Sequence, residues 1–339
     1  MYEILSQENS EEYERFVEAH ENGSFMQSLL WANVKANWES EAVVSRGEHG
    51  EIRGACLVLV KKLPFCSLLY APRGPVCSCS DKEVLADISV GIDALAKKYH
   101  AFAAICDPPV FDDKELQGIG FSRKVTDDEC LIQCRFNYIL NLSGKTLDEI
   151  RAGFKPEYRN RISKAQRRGV WCEEICGESA INALEDFYRL MIQTGKRDGF
   201  TVRSKEYFAR FIRSLGGHAR LFMCYAEIGG NKTPLSGAVT VNYGGKFSYV
   251  YGASSDIGRN YYPNYLMQWT MINAAYKNGC RVYDFGGIPF YYDESRREYG
   301  MYRFKKGFGG EIEAYAGQFA KSYRPILERA AVIFSAALR

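Results

Sequence analysis

Apolar residues along this chain follow helical and strand spacings in turn, and the same order of elements occurs twice. Each half begins with amphipathic helical segments, continues with alternating segments, and closes with a long helix before a buried strand. In the first half, helices are predicted over 10–20, 27–38 and 82–99, and strands over 41–60, 66–71, 101–106 and 131–142. In the second half, helices are predicted over 146–167, 178–197, 204–215 and 261–279, and strands over 219–228, 235–243, 246–252 and 281–285. The pattern predicts two structural copies of one α/β unit, although no residue-level repeat is visible.

The length of 339 residues also favours two domains, because it exceeds what one hydrophobic core usually serves. We place the boundary after Leu142, where Thr146 and Glu149 have the spacing of a capping box at a helix start. The first domain is then 1–142 together with 313–339, and the second is 143–312. The segment 323–339 has the spacing of an amphipathic helix. Its apolar face either packs on the first domain or touches a membrane surface.

Composition excludes several classes of protein. The net charge is only +3, which does not fit a DNA-binding protein, so any nucleic-acid contact requires a local patch. Eleven cysteines without a C-x-x-C pair and only four histidines predict no metal site. The same cysteines, together with an acidic N-terminus that is unlike a signal peptide, predict a cytoplasmic protein. No apolar run reaches the roughly 18 residues that a membrane span needs.

The strongest local charge lies in 151–168, where seven basic residues face one acidic residue. Arg161, Lys164 and Arg168 share one face of the predicted helix. Such a face binds phosphate groups of RNA or of a nucleotide, or it is simply solvated. The sequence leaves both interpretations open.

Two short motifs resemble known functional sites, but the residues around them count against those functions. Asp284-Phe285-Gly286 resembles a kinase motif, but the glycine-rich loop, the lysine motif and the catalytic loop that a kinase needs do not precede it. Gly307-Phe308-Gly309 invites an acyl-CoA site of the GNAT type, in which backbone amides face a pyrophosphate. Phe304 stands where that motif needs Gln or Arg, which counts against this alternative.

Six motifs then occur in a fixed order. They are Gly23–Ser28 with Trp31 and Lys35; Tyr70–Pro75; Tyr158–Asn160 with Lys164–Ala165 and Gly169–Val170; Arg197–Phe200 with Arg203 and Tyr207–Phe208; Tyr251–Ser254 with Pro263–Tyr265; and Tyr283–Gly287 with Tyr302, Phe304, Lys305 and Gly307–Phe308. Each motif alone is weak, but together and in this order they resemble the Fem (FemABX) peptidyltransferases over nearly the whole chain. The resemblance implies two GNAT-like acyltransferase domains packed side by side with a cleft between them. No long heptad run occurs, so the chain resembles the compact members without a coiled-coil arm.

The resemblance also implies an activity. Members of this family are non-ribosomal peptidyltransferases that move an amino acid such as Gly, Ala or Ser from aminoacyl-tRNA to the stem-peptide amine of a peptidoglycan precursor, which builds interpeptide bridges. The precursor is lipid II or UDP-MurNAc-pentapeptide, and the sequence does not choose between them. We expect no cofactor, a monomer, and a cytoplasmic location with contact at the inner membrane face as an open alternative.

Site residues follow from the same resemblance. Lys305 is expected to stabilise the oxyanion or the leaving oxygen. A motif alignment shifted by one residue would select the neighbouring Lys306 instead. Asp107, after a buried strand, is expected to be the general base, although an aspartate before proline also caps turns. Four residues match positions that hold the acceptor, namely Lys35, Arg203, Tyr207 and Tyr251. Phe102 stands where the family has an acceptor-binding tyrosine, so one phenol contact is lost or replaced.

Two further classes of function stay open beside this one. A GNAT-type acyl-CoA N-acyltransferase acting on a small amine would bind acetyl-CoA with micromolar affinity. A non-catalytic module would bind cell-wall precursors and turn over no donor.

Overall fold

The computed structural model describes residues 1–5, 9–109, 113–125 and 132–327. The chain divides into two compact units: unit 1 contains Met1–Arg135 and Ala314–Arg339, and unit 2 contains Phe136–Glu313. The first division lies seven residues before the boundary that we placed after Leu142. The reason is the strand Phe136–Asn141, which pairs with Val282–Gly287 of unit 2 and not with a strand of unit 1.

Unit 1 is built on one mixed sheet. Its strands are β1 (Tyr2–Ile4), β2 (Glu39–Arg46), β3 (Ile52–Leu63), β4 (Cys66–Ala71), β5 (Ala101–Cys106), β6 (Ser122–Val125) and, from the far end of the chain, β14 (Gln318–Ser322). Its helices are α1 (Ser10–Ala19), α2 (Leu29–Val34), α3 (Lys82–Lys98) and α4 (Asp113–Gly118). The strand order is β1-β2-β3-β4-β5-β14-β6.

Unit 2 has a second sheet with helices around it. Its strands are β7 (Phe136–Asn141), β8 (Trp171–Ile175), β9 (Ala219–Ile228), β10 (Asn231–Tyr243), β11 (Lys246–Ser254), β12 (Val282–Gly287) and β13 (Glu311–Ala314). Its helices are α5 (Leu147–Ala152), α6 (Pro156–Arg167), α7 (Gly177–Asn182), α8 (Leu184–Asp198), α9 (Lys205–Leu215), α10 (Pro263–Lys277) and α11 (Tyr299–Lys306). The strand order is β13-β7-β12-β11-β10-β9-β8.

The two sheets share one topology. In unit 1, β4 and β5 are parallel and α3 connects them; in unit 2, β11 and β12 are parallel and α10 connects them. In each sheet the second strand of this parallel pair also has an antiparallel neighbour: β14 pairs with β5, and β7 pairs with β12. The mixed α/β class predicted from apolar spacing is confirmed.

Several predicted helices are broken by local chemistry. The segment 146–167 forms α5 and α6, because Pro156 starts a new helix and holds Lys155 in an extended conformation. The capping box of Thr146 and Glu149 forms at the start of α5. The segment 27–38 yields only the short helix α2, which the Ser28 side chain caps.

Each unit buries its own core. In unit 1 the apolar face of α3 packs on the sheet, with Ile88 and Leu95 fully buried. In unit 2, aromatic residues fill the space between the sheet, α6 and α10. Within the described residues, no helix is both long and apolar enough to cross a bilayer. Most of the amphipathic segment predicted over 323–339 lies outside the described residues, so its packing stays a prediction.

Candidate functional site

In unit 1, Asp107 follows β5 and faces the turn that ends β4. The carboxylate accepts a hydrogen bond from the Tyr70 hydroxyl at 2.6 Å and another from the Arg73 backbone amide at 2.6 Å. Asp107 is only 2% exposed, and burial raises the pKa of its carboxyl group, while the nearby Arg73 guanidinium opposes that rise. The arrangement suits a base with a raised pKa, and it equally suits a brace for the turn. The base role stays a prediction.

The turn beside Asp107 joins two of the sequence motifs. Arg73 has a positive φ of 55° and stacks its guanidinium on the Tyr315 ring at 4.2 Å. Behind it, the buried Gln27 side chain donates to the Pro72 carbonyl at 2.8 Å and accepts from the Leu57 amide at 2.8 Å. Gln27 of the first motif therefore holds the Tyr70–Pro75 turn in place. This structural role explains why a glutamine is buried here, and no catalytic role is needed.

Two predicted acceptor residues of unit 1 take different environments. Lys35 caps the C-terminus of α2, is half-buried, and places its ammonium 4.8 Å from the centre of the Trp31 ring. Phe102 lies inside β5 and is 5% exposed, and its carbonyl accepts from the Tyr323 amide at 2.9 Å. Burial of the Phe102 ring leaves little surface for a ligand. The acceptor roles of both residues stay predictions.

In unit 2, three residues predicted to bind the acceptor come together. The hydroxyls of Tyr207, on α9, and Tyr251, on β11, lie 3.0 Å apart. The Arg203 guanidinium lies 5.6 Å from the centre of the Tyr207 ring. Burial raises the pKa of both phenols, so they stay protonated at neutral pH and can donate hydrogen bonds. Tyr251 thus joins Arg203 and Tyr207, 44 residues before it, in one polar group with the exposed Arg203 cation at its edge.

Lys305 is buried in unit 2. It lies on α11, is 5% exposed, and donates from Nζ to the Gly287 carbonyl at 2.7 Å. Burying an ammonium is costly, so a lysine in such a place is usually held for a purpose. Lys306 is exposed, with its ammonium 5.4 Å from the centre of the Tyr302 ring. The two lysines therefore differ sharply in environment, and the catalytic role of Lys305 stays a prediction.

The end of β12 shapes the position of Lys305. Asp284 accepts from the Asn137 side chain at 3.0 Å and from the Gly286 amide at 2.7 Å. Gly286 has a φ of +79°, and a Cβ there would lie 3.1 Å from the Tyr249 carbonyl oxygen and 3.8 Å from the Lys305 Nζ. Asp284 therefore fixes a tight glycine turn against which the Lys305 ammonium rests.

Unit 2 also contains a cationic pocket of about 380 Å³. Three arginines and three aromatic residues line it together with the start of α10: Arg161, Arg197, Arg259, Tyr262, Tyr265, Phe304, Pro263, Asn264, Ser254, Ser255 and Gly258. The Arg161 guanidinium hydrogen-bonds to the Tyr265 hydroxyl and lies 4.9 Å from the centre of that ring. The Arg168 guanidinium lies 5.2 Å from the centre of the Tyr262 ring. Two members of the predicted basic face thus contact the aromatic wall of this pocket, while Lys164 lies half-buried on the same helix.

The pocket offers three kinds of contact. Guanidinium groups and the N-terminal amides of the fifteen-residue helix α10 favour phosphate. Flat rings suit stacking with a base. The Asn264 Oδ1 atom is buried and has no hydrogen-bond partner among the described residues, so it can accept from a hydroxyl or amino group of a ligand. Together these contacts fit a nucleotide.

Three pocket residues had received no role from the sequence. Arg197 donates to the Ser254 carbonyl at 3.0 Å and to Asp256 at 3.1 Å, and it appeared only as part of a motif. Arg259 had no signal beyond its charge. Tyr262 has a φ of +57° before Pro263, and this conformation turns the chain into α10. The spacing of apolar residues cannot predict a tyrosine whose backbone adopts the left-handed conformation.

The glycines of the acyl-CoA alternative have another explanation. A Cβ at Gly307 would meet the Tyr158 ring at 2.0 Å, and a Cβ at Gly309 would meet the Gly153 carbonyl at 2.4 Å. Both glycines permit α11 and the following turn to pack closely on their neighbours. Close packing therefore accounts for this G-x-G without a pyrophosphate. Within the described residues, no three His, Cys, Asp or Glu side chains are grouped as metal ligands would be.

Comparisons with known proteins identify the family of the chain. The family model described as "FemAB family" matches residues 9–119, 110–229 and 225–335. A "Lipid II:glycine glycyltransferase" of Staphylococcus haemolyticus is 30% identical over 91% of this chain and 90% of its own length, and one of Staphylococcus aureus is 29% identical with the same coverage. A crystal structure of FemX superposes with a TM-score of 0.88 and 26% identity over 97% of this chain and 99% of that one.

A tandem GNAT protein from the clavulanic acid biosynthesis pathway superposes with a TM-score of 0.58 at 9% identity, over 95% of this chain and 98% of that one. At that identity the likeness concerns the fold alone, and it confirms the prediction of GNAT-like units. The family model and the relatives, each covering most of the chain, point the same way. The chain belongs to the FemAB family.

Proposed function

We propose that this chain moves an amino acid from aminoacyl-tRNA to the stem-peptide amine of a peptidoglycan precursor and so builds interpeptide bridges. It is an aminoacyltransferase, as are relatives named lipid II:glycine glycyltransferases. Those names favour glycine as the donated residue and a lipid-linked acceptor. The observation that carries the proposal is the cationic pocket of unit 2, because its contacts fit the 3′ end of a charged RNA.

The donor end of the proposal follows from the pocket. A single-stranded RNA end presents phosphates, flat bases and ribose hydroxyls. The arginines Arg161 and Arg259 suit the phosphates, the ring of Tyr262 suits a base, and Asn264 suits a hydroxyl or amino group. Phe304 lines the same pocket and directly precedes Lys305 in α11. A donor seated there would lie against α11, the helix that carries Lys305.

In unit 2, the acceptor end of the proposal rests on Arg203, Tyr207 and Tyr251. In unit 1, Lys35 is proposed by itself as an acceptor contact. A muramyl peptide linked to a diphosphate carries strong anionic acceptors of hydrogen bonds. Guanidinium and ammonium groups bind such oxygens, and neutral phenols donate to phosphate or peptide oxygens. The pairing of Tyr207 with Tyr251 supports a shared role for these two residues.

The chemistry is aminolysis of an activated ester, and it needs no protein nucleophile. The stem-peptide amine loses a proton, which we assign to Asp107, and its lone pair forms a bond to the ester carbonyl carbon. The carbonyl oxygen becomes an oxyanion, which the Lys305 ammonium stabilises. The bond from carbon to the ribose oxygen then breaks and the carbonyl re-forms as an amide. The proton that Asp107 accepted from the amine passes to the ribose oxygen, which restores the base.

The same proposal places the protein in the cytoplasm as a monomer, where charged tRNA is available, and at the inner face of the membrane when the acceptor is lipid-linked. Neither DNA nor a cofactor takes part.

A transfer assay tests this proposal. The purified chain is incubated with radiolabelled glycyl-, alanyl- or seryl-tRNA, or with labelled acetyl-CoA, and each donor meets a UDP-linked or a lipid-linked acceptor. We expect label to pass to an acceptor from at least one aminoacyl-tRNA, and ribonuclease treatment of the donor to abolish the transfer. Transfer from acetyl-CoA alone would establish the acyl-CoA alternative, and precursor binding without any transfer would establish a non-catalytic module.

A further inference from the structure

The turn between β3 and β4 in unit 1 presents two apolar side chains to solvent. Phe65 is 98% exposed and Leu63 is 40% exposed. The turn consists of Pro64 and Phe65 alone, because Leu63 pairs directly with Cys66. Burial of a phenylalanine is among the larger single contributions to folding, and here that contribution is absent.

The backbone at Phe65 is also unfavourable for the residue it carries. Its φ is +70°, and the proline before it makes this the third position of a type II turn, where glycine or asparagine is preferred. Neither local conformation nor packing explains a phenylalanine at this tip. Phe65 therefore serves a requirement other than the folding of unit 1.

Lysines lie at the same end of the sheet as this turn. Strand register places the end of β3, the start of β4 and the start of β5 at one end of the sheet. This end carries Lys61 and Lys62 from β3 and Lys97 and Lys98 from the end of α3, against Glu39 and Glu41 from β2. Glu39 pairs with Lys62 and Glu41 with Lys98. The four lysines therefore outnumber the two glutamates by two at the end of the sheet that carries the exposed apolar side chains.

We propose that the β3–β4 turn of unit 1 docks on a membrane surface rich in anionic phospholipid. Phe65 and Leu63 enter the boundary between headgroups and acyl chains, and the lysines at this end of the sheet lie over the headgroups. An apolar and aromatic tip with a basic rim is the combination that peripheral proteins use at such surfaces, because each part alone binds weakly.

The inference rests on the proposed function for its purpose. Lys61 places its ammonium 5.6 Å from the centre of the Trp38 ring, and that ring lies 6.5 Å from the ring of Tyr70, which hydrogen-bonds to Asp107. All of these groups belong to unit 1. The six residues of β4 separate the tip from Asp107 by roughly 20 Å at the usual rise of a strand. An acceptor anchored in the membrane would thus have to span this length of unit 1 to reach Asp107.

Vesicle binding of the full chain tests the inference, with Phe65→Gly as the variant. Glycine suits the positive φ, so we expect an unchanged or raised Tm for this variant. The wild type should sediment with vesicles of phosphatidylglycerol and phosphatidylcholine, and far less with phosphatidylcholine alone. Phe65→Gly should weaken partition into the anionic vesicles by roughly tenfold, the lower end for removing one buried phenylalanine from an apolar phase. Val90→Ser, which removes a 51% exposed side chain from α3 of the same unit, should bind as the wild type does.

A rate comparison separates this inference from the proposed function. Phe65→Gly should transfer at the wild-type rate to the UDP-linked acceptor and more slowly to the acceptor in vesicles. If the wild type ignores anionic vesicles but transfers to soluble acceptor, the docking inference is wrong and the proposed function stands. Equal binding of wild type and Phe65→Gly, or equal binding to neutral vesicles, would also overturn the inference. If vesicle binding depends on Phe65 but no donor supports transfer, the docking inference stands and the proposed function is wrong.

Discussion

The Tyr207 hydroxyl lies 3.0 Å from the Tyr251 hydroxyl, which joins α9 to β11 through one buried and one half-buried phenol. Each ring also packs edge-on against the ring of Phe208, and Phe211 contacts Tyr251 in the same way. Because the rings are fixed by packing, their hydroxyls present a rigid pair to a ligand. The exposed Arg203 beside Tyr207 adds a charge at the rim of that pair.

Arg203→Ala should raise the KM for the acceptor and leave the KM for aminoacyl-tRNA nearly unchanged. Loss of a charge-assisted contact to phosphate costs about 1.5–3 kcal/mol, which is roughly ten- to hundredfold in KM. Steady-state kinetics with each substrate varied in turn measures the split. Arg210→Ala is a matched control, since the Arg210 guanidinium also lies near the Tyr207 ring, at 5.9 Å from its centre. An unchanged acceptor KM, or an equal rise for Arg210→Ala, would remove Arg203 from the acceptor site.

The triple change Arg161→Gln, Lys164→Gln and Arg168→Gln should weaken tRNA binding and flatten its salt dependence. Each lost contact to a single-stranded phosphate lowers the slope of log Kd against log salt by about 0.7, so three contacts give roughly 2. Filter binding at several salt concentrations measures the slope. Arg167→Gln removes an exposed charge from another face of α6 and should change the slope little. A wild-type slope for the triple variant would mean that this face is only solvated.

The sequence predicted most of the elements that carry these residues. Regular apolar spacing marked long helices such as α3 and α9, because each keeps one apolar face buried. The family motifs marked Arg203, Tyr207 and Tyr251, which the structure then brought together. Local patterns therefore suffice where a residue's place depends on its own helix or strand.

Other features depend on contacts that no local pattern contains. The short strands β1, β6, β8 and β13 are only three to five residues long, too short for a period to appear. The strand Phe136–Asn141 looked like the end of the first domain until its pairing with β12 placed it in unit 2. Arg259 and Asn264 matter through the pocket that they line, and a pocket assembled from α6, α8, β11, α10 and α11 is a property of the fold.

Asp107→Asn tests the assignment of the base. Because burial raises the pKa of Asp107, the unprotonated base should be lost as pH falls through a value above that of an ordinary aspartate, and kcat should fall with it. Asparagine can still accept from the Arg73 amide through Oδ1, and its Nδ2 can donate to the Tyr70 oxygen, so the turn should survive. We expect kcat to drop by roughly 10²–10⁴ and the acid limb of the pH–rate profile to disappear. A mild loss of rate with the acid limb intact would make Asp107 a positioning residue.

The central step of the mechanism depends on Lys305. Ester aminolysis places negative charge on the carbonyl oxygen and then on the ribose oxygen, so a fixed ammonium there stabilises the transition state more than the bound substrates. The decisive measurement is kcat at saturating aminoacyl-tRNA and acceptor for the wild type, Lys305→Ala and Lys306→Ala. We predict that Lys305→Ala lowers kcat by roughly 10²–10³ while both substrates still bind, and that Lys306→Ala, which removes an exposed ammonium one residue away, has a mild effect. A damaging Lys306→Ala beside a nearly silent Lys305→Ala, or wild-type kcat for both variants, would contradict the mechanism.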